Sequence, residues 1–117
     1  DLISSLAFGG RFIYSASHDA SIKVWSFEGS EGKSLLHHSD KVLDLLVARD
    51  CFFSASADHS IATWSLHSQE LLDVDTTSHS DSVSAMALVI SPDDCKRSEL
   101  WSASNDALIH IKPLDPI

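Results

Sequence analysis

The chain repeats a sequence motif that reads Phe53-Ser54-Ala55-Ser56-Ala57-Asp58, followed by Ser60-Ile61-Ala62-Thr63-Trp64. An earlier copy reads Tyr14-Ser15-Ala16-Ser17-His18-Asp19 and then Ser21-Ile22-Lys23-Val24-Trp25. A later copy reads Trp101-Ser102-Ala103-Ser104-Asn105-Asp106 and then Leu108-Ile109-His110-Ile111-Lys112. Asp19 and Asp58 lie 39 residues apart, as do Trp25 and Trp64, whereas Asp58 and Asp106 lie 48 residues apart because the third copy carries an insertion.

Each copy also begins with a related stretch. The three stretches are Ile3-Ser4-Ser5-Leu6-Ala7-Phe8, His38-Ser39-Asp40-Lys41-Val42-Leu43-Asp44-Leu45 and His79-Ser80-Asp81-Ser82-Val83-Ser84-Ala85-Met86. A period of about 40–45 residues with several short apolar runs is typical of one blade of a β-propeller. On these motifs the chain resembles the WD40-repeat β-propeller family, and the resemblance covers almost its whole length.

The resemblance implies an all-β fold: a partial WD40 β-propeller, which is an open arc of about three four-stranded antiparallel blades, the last one incomplete. We expect one WD40-repeat region over residues 1–117, with blade 1 at about 1–37, blade 2 at about 38–77 and blade 3 at about 78–113 without its fourth strand. The apolar runs predict strands near 2–8, 11–17, 21–27, 33–36, 42–48, 51–56, 60–66, 70–74, 82–90, 99–104 and 107–112.

Three blades are too few for a closed propeller, which typically has four to eight. The sequence therefore predicts a fragment of a larger propeller, whose remaining blades would pack on both ends of the arc. Trp25 and Trp64 should be buried at equivalent places. Apolar residues of the two terminal blades should be partly exposed, namely Ile3, Phe12 and Ile22 at one end and Val83, Leu108 and Ile111 at the other.

In WD40 proteins a histidine, a serine or threonine, an aspartate and a tryptophan form one hydrogen-bonded network in each blade. A buried aspartate needs several donors, which imidazole, hydroxyl and indole groups can supply. Lys112 stands where the tryptophan of blade 3 belongs. The matching residues are His38, Ser54 or Ser56, Asp58 and Trp64 in blade 2; Ser15 or Ser17, Asp19 and Trp25 in blade 1; and His79, Ser102 or Ser104, and Asp106 in blade 3.

The same residue types allow two chemical interpretations, and neither is favoured. The seven histidines, Cys51 and Cys95 show no zinc-ligand spacing, so we expect no metal and no cofactor. Ser56, His38 and Asp58 resemble a catalytic triad, but a serine nucleophile needs an exposed oxygen beside an oxyanion hole. Because this trio also recurs from copy to copy, we predict a structural role and no enzymatic activity.

The formal net charge of −9 argues against nucleic acid and anionic membranes as partners, since both need clustered Lys and Arg. An acidic surface keeps a domain soluble and is also compatible with a basic partner. We expect Cys51 and Cys95 to be free thiols, because no secretory signal accompanies them. The family and the free cysteines together suggest an intracellular protein, cytoplasmic or nuclear.

The resemblance implies that the chain holds other proteins or peptides on the top face of the propeller. Alignment with the family places nine positions on that face: Leu2, Ser4, His18, Lys41, Leu43, Ala57, Ser82, Ser84 and Asn105. Leu2 and Leu43 are the most informative, because an apolar side chain on a polar rim is what a binding hot spot needs. We predict a non-catalytic interaction scaffold. The alternatives are a substrate-recruiting module of a multidomain enzyme, such as a ubiquitin ligase or kinase, and a fragment whose identical chains assemble into a ring.

Overall fold

Short β-strands make up the secondary structure of this protein. The computed structural model describes residues 2–90 and 98–114. Its eleven strands are β1 (Ile3–Gly9), β2 (Phe12–Ser17), β3 (Ser21–Ser26), β4 (Glu31–Leu36), β5 (Val42–Val47), β6 (Cys51–Ser56), β7 (Ile61–Ser65), β8 (Leu71–Asp75), β9 (Val83–Ile90), β10 (Ser98–Ser104) and β11 (Ile109–Leu114). The all-β prediction is confirmed, and the bounds differ from those expected by two residues at most.

The strands form three separate antiparallel sheets in which each strand pairs with the next one along the chain. Blade 1 contains β1 to β4 and blade 2 contains β5 to β8, while blade 3 contains β9 to β11 within the described residues. The innermost strands β1, β5 and β9 lie side by side, so the blades are arranged as an open arc. The insertion between β9 and β10 lies outside the described residues.

Two apolar cores fill the spaces between the blades. The first joins residues such as Tyr14 and Val24 of blade 1 to Phe52 and Trp64 of blade 2. The second joins residues such as Phe53 of blade 2 to residues of blade 3. Phe52 and Phe53 are neighbours on β6 and point to opposite faces, because side chains alternate along a strand. Blade 2 is therefore covered on both faces.

The strand register places Trp25, Trp64 and Lys112 at equivalent positions, opposite Ile13, Phe52 and Leu100. The expectation that both tryptophans are buried is wrong for Trp25, which is half-exposed, whereas Trp64 is buried. Trp64 faces blade 1, but Trp25 lies on the face of blade 1 that points away from blade 2.

The prediction for the terminal blades is also partly wrong. Ile22 and Val83 are fully buried because they belong to the cores that face blade 2. Phe12 is half-buried and packs against the first core. Ile3, Leu108 and Ile111 are exposed, as expected. Burial in an arc thus depends on which face a residue occupies and not only on whether its blade is terminal.

Candidate functional site

A β-bulge occurs at the same place in each blade, near the start of the innermost strand. The pairing register shifts between Ile3 and Ser5 in blade 1, between Val42 and Asp44 in blade 2, and at the matching step of β9 in blade 3. The extra residues are Ser4, Leu43 and Ser84. A bulge bends the strand and redirects its side chain, and bulges are common beside binding sites.

The other top-face positions are tied together in pairs by one backbone hydrogen bond per blade. The amide of His18 donates to the carbonyl of Leu2 at 2.9 Å. The equivalent bonds run from Ala57 to Lys41 at 2.8 Å and from Asn105 to Ser82 at 3.0 Å. The structure therefore brings all nine predicted positions to the same end of the three blades.

Contacts between blades also occur at this end. The Ser4 hydroxyl donates to the carbonyl of Val42, and the Ser82 hydroxyl donates to that of Ala57 at 3.5 Å. These two serines thus link neighbouring blades. The Ser84 hydroxyl donates to the carbonyl of Ala103 within its own blade at 3.3 Å.

The side chains at the nine positions differ in what they offer to a partner. Leu2 is 66% exposed, and Lys41 and Asn105 are also exposed. Leu43 and His18 are half-buried. The surface therefore combines apolar, cationic and amide groups around backbone that is already hydrogen-bonded.

The polar network of blade 2 lies directly below this surface and has a defined direction. The indole Nε1 of Trp64 donates to the Ser54 hydroxyl at 2.9 Å. The His38 ring joins Ser54 Oγ through Nε2 at 2.7 Å and Asp58 Oδ2 through Nδ1 at 2.9 Å. Because a carboxylate only accepts, Nδ1 carries the proton and Nε2 accepts from Ser54. The bonds therefore run from Trp64 through Ser54 and His38 to Asp58.

The two candidate serines of blade 2 have different roles. Ser54 belongs to the network, whereas the Ser56 hydroxyl donates to the carbonyl of Lys41 at 2.8 Å and accepts from the amide of Asp58 at 3.1 Å. Ser56 therefore holds the turn, whereas His38 bonds to Ser54, Asp58 and Ser60, so the triad drawn from Ser56, His38 and Asp58 is not assembled. Ser54 is fully buried, which keeps its oxygen away from any substrate.

The other blades contain parts of the same arrangement. In blade 1 the Trp25 indole donates to Ser15 Oγ at 2.9 Å, and Ser17 accepts from the Asp19 amide at 3.2 Å. In blade 3, His79 joins Ser102 at 2.8 Å and Asp106 at 3.0 Å, while Ser104 accepts from the Asp106 amide at 3.1 Å. Lys112 replaces the indole there, and its Nζ lies 3.7 Å from Asp73 Oδ2 of blade 2.

The environment of Asp58 favours its ionised form. Burial opposes ionisation, but hydrogen bonds from Ser60, His38 and the Ser39 amide outweigh it and lower the pKa of Asp58 from 3.8 to about 2. Burial lowers the pKa of His38 below 6.5, although Asp58 opposes this shift. The pair is thus a neutral imidazole beside a carboxylate near neutral pH.

Sequence reasoning missed two sets of polar residues. Ser60 donates its amide to Asp58 Oδ1 at 2.9 Å and its hydroxyl to the same oxygen, and Ser21 does the same to Asp19. The spacing Asp-x-Ser, an Asx-turn pattern, could have indicated both. Asp44 was also missed: its carboxylate accepts from Met86 N of blade 3 at 2.9 Å and from Ser5 Oγ of blade 1 at 3.3 Å.

The residue after each turn aspartate has an unusual backbone conformation. Ala20, His59 and Ala107 have φ angles of 76°, 75° and 69°. Their amides close the turn by donating to Ser17, Ser56 and Ser104 carbonyls at 3.2–3.3 Å. L-residues rarely adopt this left-handed region.

Metal ligands and membrane-spanning helices are not found among residues 2–90 and 98–114. No cluster of three or more His, Cys, Asp or Glu side chains there could hold a metal ion. That part of the chain also contains no helix long and apolar enough to cross a bilayer. Cys51 is half-buried, whereas Cys95 lies outside the described residues, so the thiol prediction stays a prediction.

Solved structures with the same arrangement of blades identify the fold. The chain superposes on the WD40 β-propeller domain of Doa1 with a TM-score of 0.74 and 32% sequence identity over 97% of its length. The chain is a partial WD40 β-propeller. Saccharomyces cerevisiae Sqt1 shares the WD40 fold at a TM-score of 0.85 and 11% identity over 97% of the chain. This partial propeller spans 36% and 31% of those two structures. No protein-family model matches the chain.

Proposed function

We propose that this partial WD40 propeller is a non-catalytic interaction scaffold that docks partner proteins or peptides on its top face. The observation that carries the proposal is the bulge repeated at Ser4, Leu43 and Ser84. A bulge interrupts regular pairing, and its repetition at one end of three sheets is expected where side chains must be presented. The nearby Asp58 network holds the underlying turn in place.

A basic partner with an apolar anchor suits this surface. Exposed carboxylates of Asp19, Asp40 and Asp81 lie beside the top-face positions, and Lys41 is the only Lys or Arg among the nine. The net charge of −9 would attract a cationic segment over distances of about 10 Å at ordinary salt. Leu43 would supply the apolar contact, since buried apolar anchors contribute most to interface energies.

A displayed random-peptide library selected on the 117-residue chain would test the proposal. The tightest selected peptide, labelled with a fluorophore, is titrated with the wild type, with Leu43→Ala and with Lys41→Glu. We expect Leu43→Ala to weaken binding about tenfold, or about 1.4 kcal/mol. Lys41→Glu should strengthen the binding of a basic peptide. Added salt should weaken the binding of this peptide to all of the variants.

The matched control is Leu72→Ala on β8, which removes an exposed leucine at the outer rim of blade 2. It should bind like the wild type. Equal affinities for Leu43→Ala and Leu72→Ala, in variants with wild-type amide spectra, would place peptide binding elsewhere. Enrichment of acidic peptides would contradict the partner chemistry.

A further inference from the structure

A small void lies between blades 2 and 3, away from both ends of the arc. It has about 10 Å³ of room for the centre of a water molecule. Leu100 and Ser102 are among its walls and are buried, so the void lies inside the interface between the two blades. The full set of wall residues is Ile61, Thr63 and Asp75 of blade 2, and Leu100, Ser102, His110 and Lys112 of blade 3.

The interface between blades 1 and 2 shows what occupies the equivalent place. There the Trp64 ring lies beside Ser54, to which its Nε1 donates at 2.9 Å. In blade 3, Lys112 stands at the register position of Trp64, and it carries no ring to fill this space. Its Nζ lies 3.7 Å from Asp73 Oδ2 at the rim of blade 2. The void is therefore the space that an indole would take.

The wall that blade 2 contributes has become polar as well. Thr63 and Asp75 occupy the register positions of Val24 and Leu35 in blade 1, and both of those apolar residues belong to the first core. The apolar positions of the first interface are thus partly replaced by polar ones at the second. Empty cavities in proteins are apolar, whereas a polar cavity with about 10–15 Å³ of such room can hold a water molecule.

Ser102 lacks a donor that its counterpart in blade 2 has. Its hydroxyl donates to Nε2 of His79 at 2.8 Å, because Nδ1 of that ring carries the proton that bonds to the turn aspartate. The equivalent Ser54 also accepts the indole N–H of Trp64. Within residues 2–90 and 98–114, no side chain donates to Ser102 Oγ. A hydroxyl oxygen has two acceptor positions, so Ser102 can still accept a bond from the void.

The charges around the void select a neutral ligand. The Lys112 ammonium would repel a cation, and the Asp75 carboxylate would repel an anion. The Thr63 hydroxyl and the His110 ring also line the void and can supply further hydrogen bonds. A ligand that fits must be neutral, must both donate and accept hydrogen bonds, and must be no larger than water.

We propose that one water molecule occupies this void and donates to Ser102 Oγ in place of the missing indole. Buried waters typically make about three hydrogen bonds, and Thr63 and His110 offer the other two. The water completes the polar network of blade 3, so the substitution of tryptophan by lysine leaves no acceptor unpaired. The site does not include the top face, so this proposal stands independently of the proposed scaffold function.

A high-resolution crystal structure of the 117-residue chain tests the proposal directly. We expect one ordered water whose oxygen lies about 2.5–3.0 Å from Ser102 Oγ. In solution, ¹⁷O relaxation of the solvent should show a contribution from a water that stays bound for longer than the protein takes to tumble. The double variant His110→Ala/Lys112→Trp rebuilds the blade 2 arrangement and should lose both the density and this contribution.

The matched control is Lys33→Trp, which makes the same substitution at an exposed position of β4 and should keep the water. Circular dichroism checks that the variants fold, and Ser102→Ala, which removes the acceptor, replaces the double variant if that one does not. An empty void in the wild type would overturn the proposal. So would a water out of reach of Ser102 Oγ, or a folded double variant or Ser102→Ala variant that still holds the water.

Discussion

Among single residues, Asp58 stands out because it is largely buried and accepts four hydrogen bonds. Its two oxygens accept from His38, from the Ser39 amide and from both donors of Ser60. Only 10% of its side chain is exposed, so water cannot replace all of these bonds. Leaving buried donors unpaired is more costly than the net gain from forming the bonds.

Replacing Asp58 by alanine should destabilise the protein, because His38, Ser39 and Ser60 would each lose an acceptor. We expect Asp58→Ala to lower the free energy of unfolding by roughly 1–3 kcal/mol more than Asp50→Ala. Asp50 is the control because it is exposed and its carboxylate lies 4.0 Å from His67. Urea denaturation measures both variants, and equal midpoints would contradict a stabilising network.

The sequence identified the members of this network but not all of its bonds. His38, Asp58 and Trp64 could be found by their recurrence, yet the indole donates to Ser54 and not to the carboxylate. Ser54 and Ser56 lie on the same side of β6, since they are two residues apart. Which of them meets His38 depends on how far the preceding loop descends along the strand, and residue types alone do not specify that distance.

At the level of strands, the innermost strand of each blade lies at the edge of its sheet. Some of its backbone amides therefore have no neighbouring strand to which they can donate a hydrogen bond. Asp44 on β5 accepts the amide of Met86 on β9, and its other oxygen accepts from Ser5 on β1 and from its own neighbour Leu45. One carboxylate thus connects three sheets. The repeat could not indicate this, because the matching positions in the other blades are Ser5 and Ala85.

Removing this carboxylate should loosen the contact between blades 2 and 3. We expect Asp44→Ala to lower the free energy of unfolding by about 1–3 kcal/mol, since the Met86 amide loses its acceptor. Amide hydrogen exchange should accelerate at Met86 more than at residues in the middle of β6. Ser5→Ala serves as the control, because it removes only the hydrogen bond between Asp44 and blade 1. If the Met86 amide of the Asp44→Ala variant exchanges at the wild-type rate, the hydrogen bond between Asp44 and Met86 contributes nothing to stability.

For the molecule as a whole, the repeat specifies the strands well and burial less well. Each strand could be placed because three copies of one pattern support one another. The half-exposure of Trp25 and the full burial of Ile22 could not be read from that pattern, because all copies look alike while only some faces meet a neighbour. Burial is therefore a property of the arc and not of the repeat.

The global stability of the protein should fall in two stages on acidification. His38 has a folded-state pKa below its unfolded 6.5, so the unfolded chain binds protons first and stability declines as the pH drops below 6.5. The pKa of Asp58 is about 2 in the folded protein and 3.8 in the unfolded chain. Its ionisation therefore contributes about 2 kcal/mol to the free energy of unfolding above pH 3.8, and this contribution is lost as the pH falls through 2.

Other aspartates act in the same direction, because hydrogen bonds lower the pKa of Asp106 and Asp75 as well, against the opposing effect of burial. Urea denaturation at a series of pH values measures the profile. His38→Gln should flatten the first stage and leave the second in place. A free energy of unfolding that is constant between neutral pH and the acid region would contradict both assignments.

The left-handed turn residues Ala20, His59 and Ala107 offer a route to a more heat-resistant version of this protein. A non-glycine residue in that conformation costs roughly 1–2 kcal/mol, and glycine or asparagine tolerates it far better. Substitution by glycine removes this strain but also increases the conformational entropy of the unfolded chain, which lowers the stabilisation by roughly 0.5–1 kcal/mol. The three sites lie on different blades, so small improvements at each should accumulate. Such engineering alters neither the top face nor the apolar faces at the two ends of the arc.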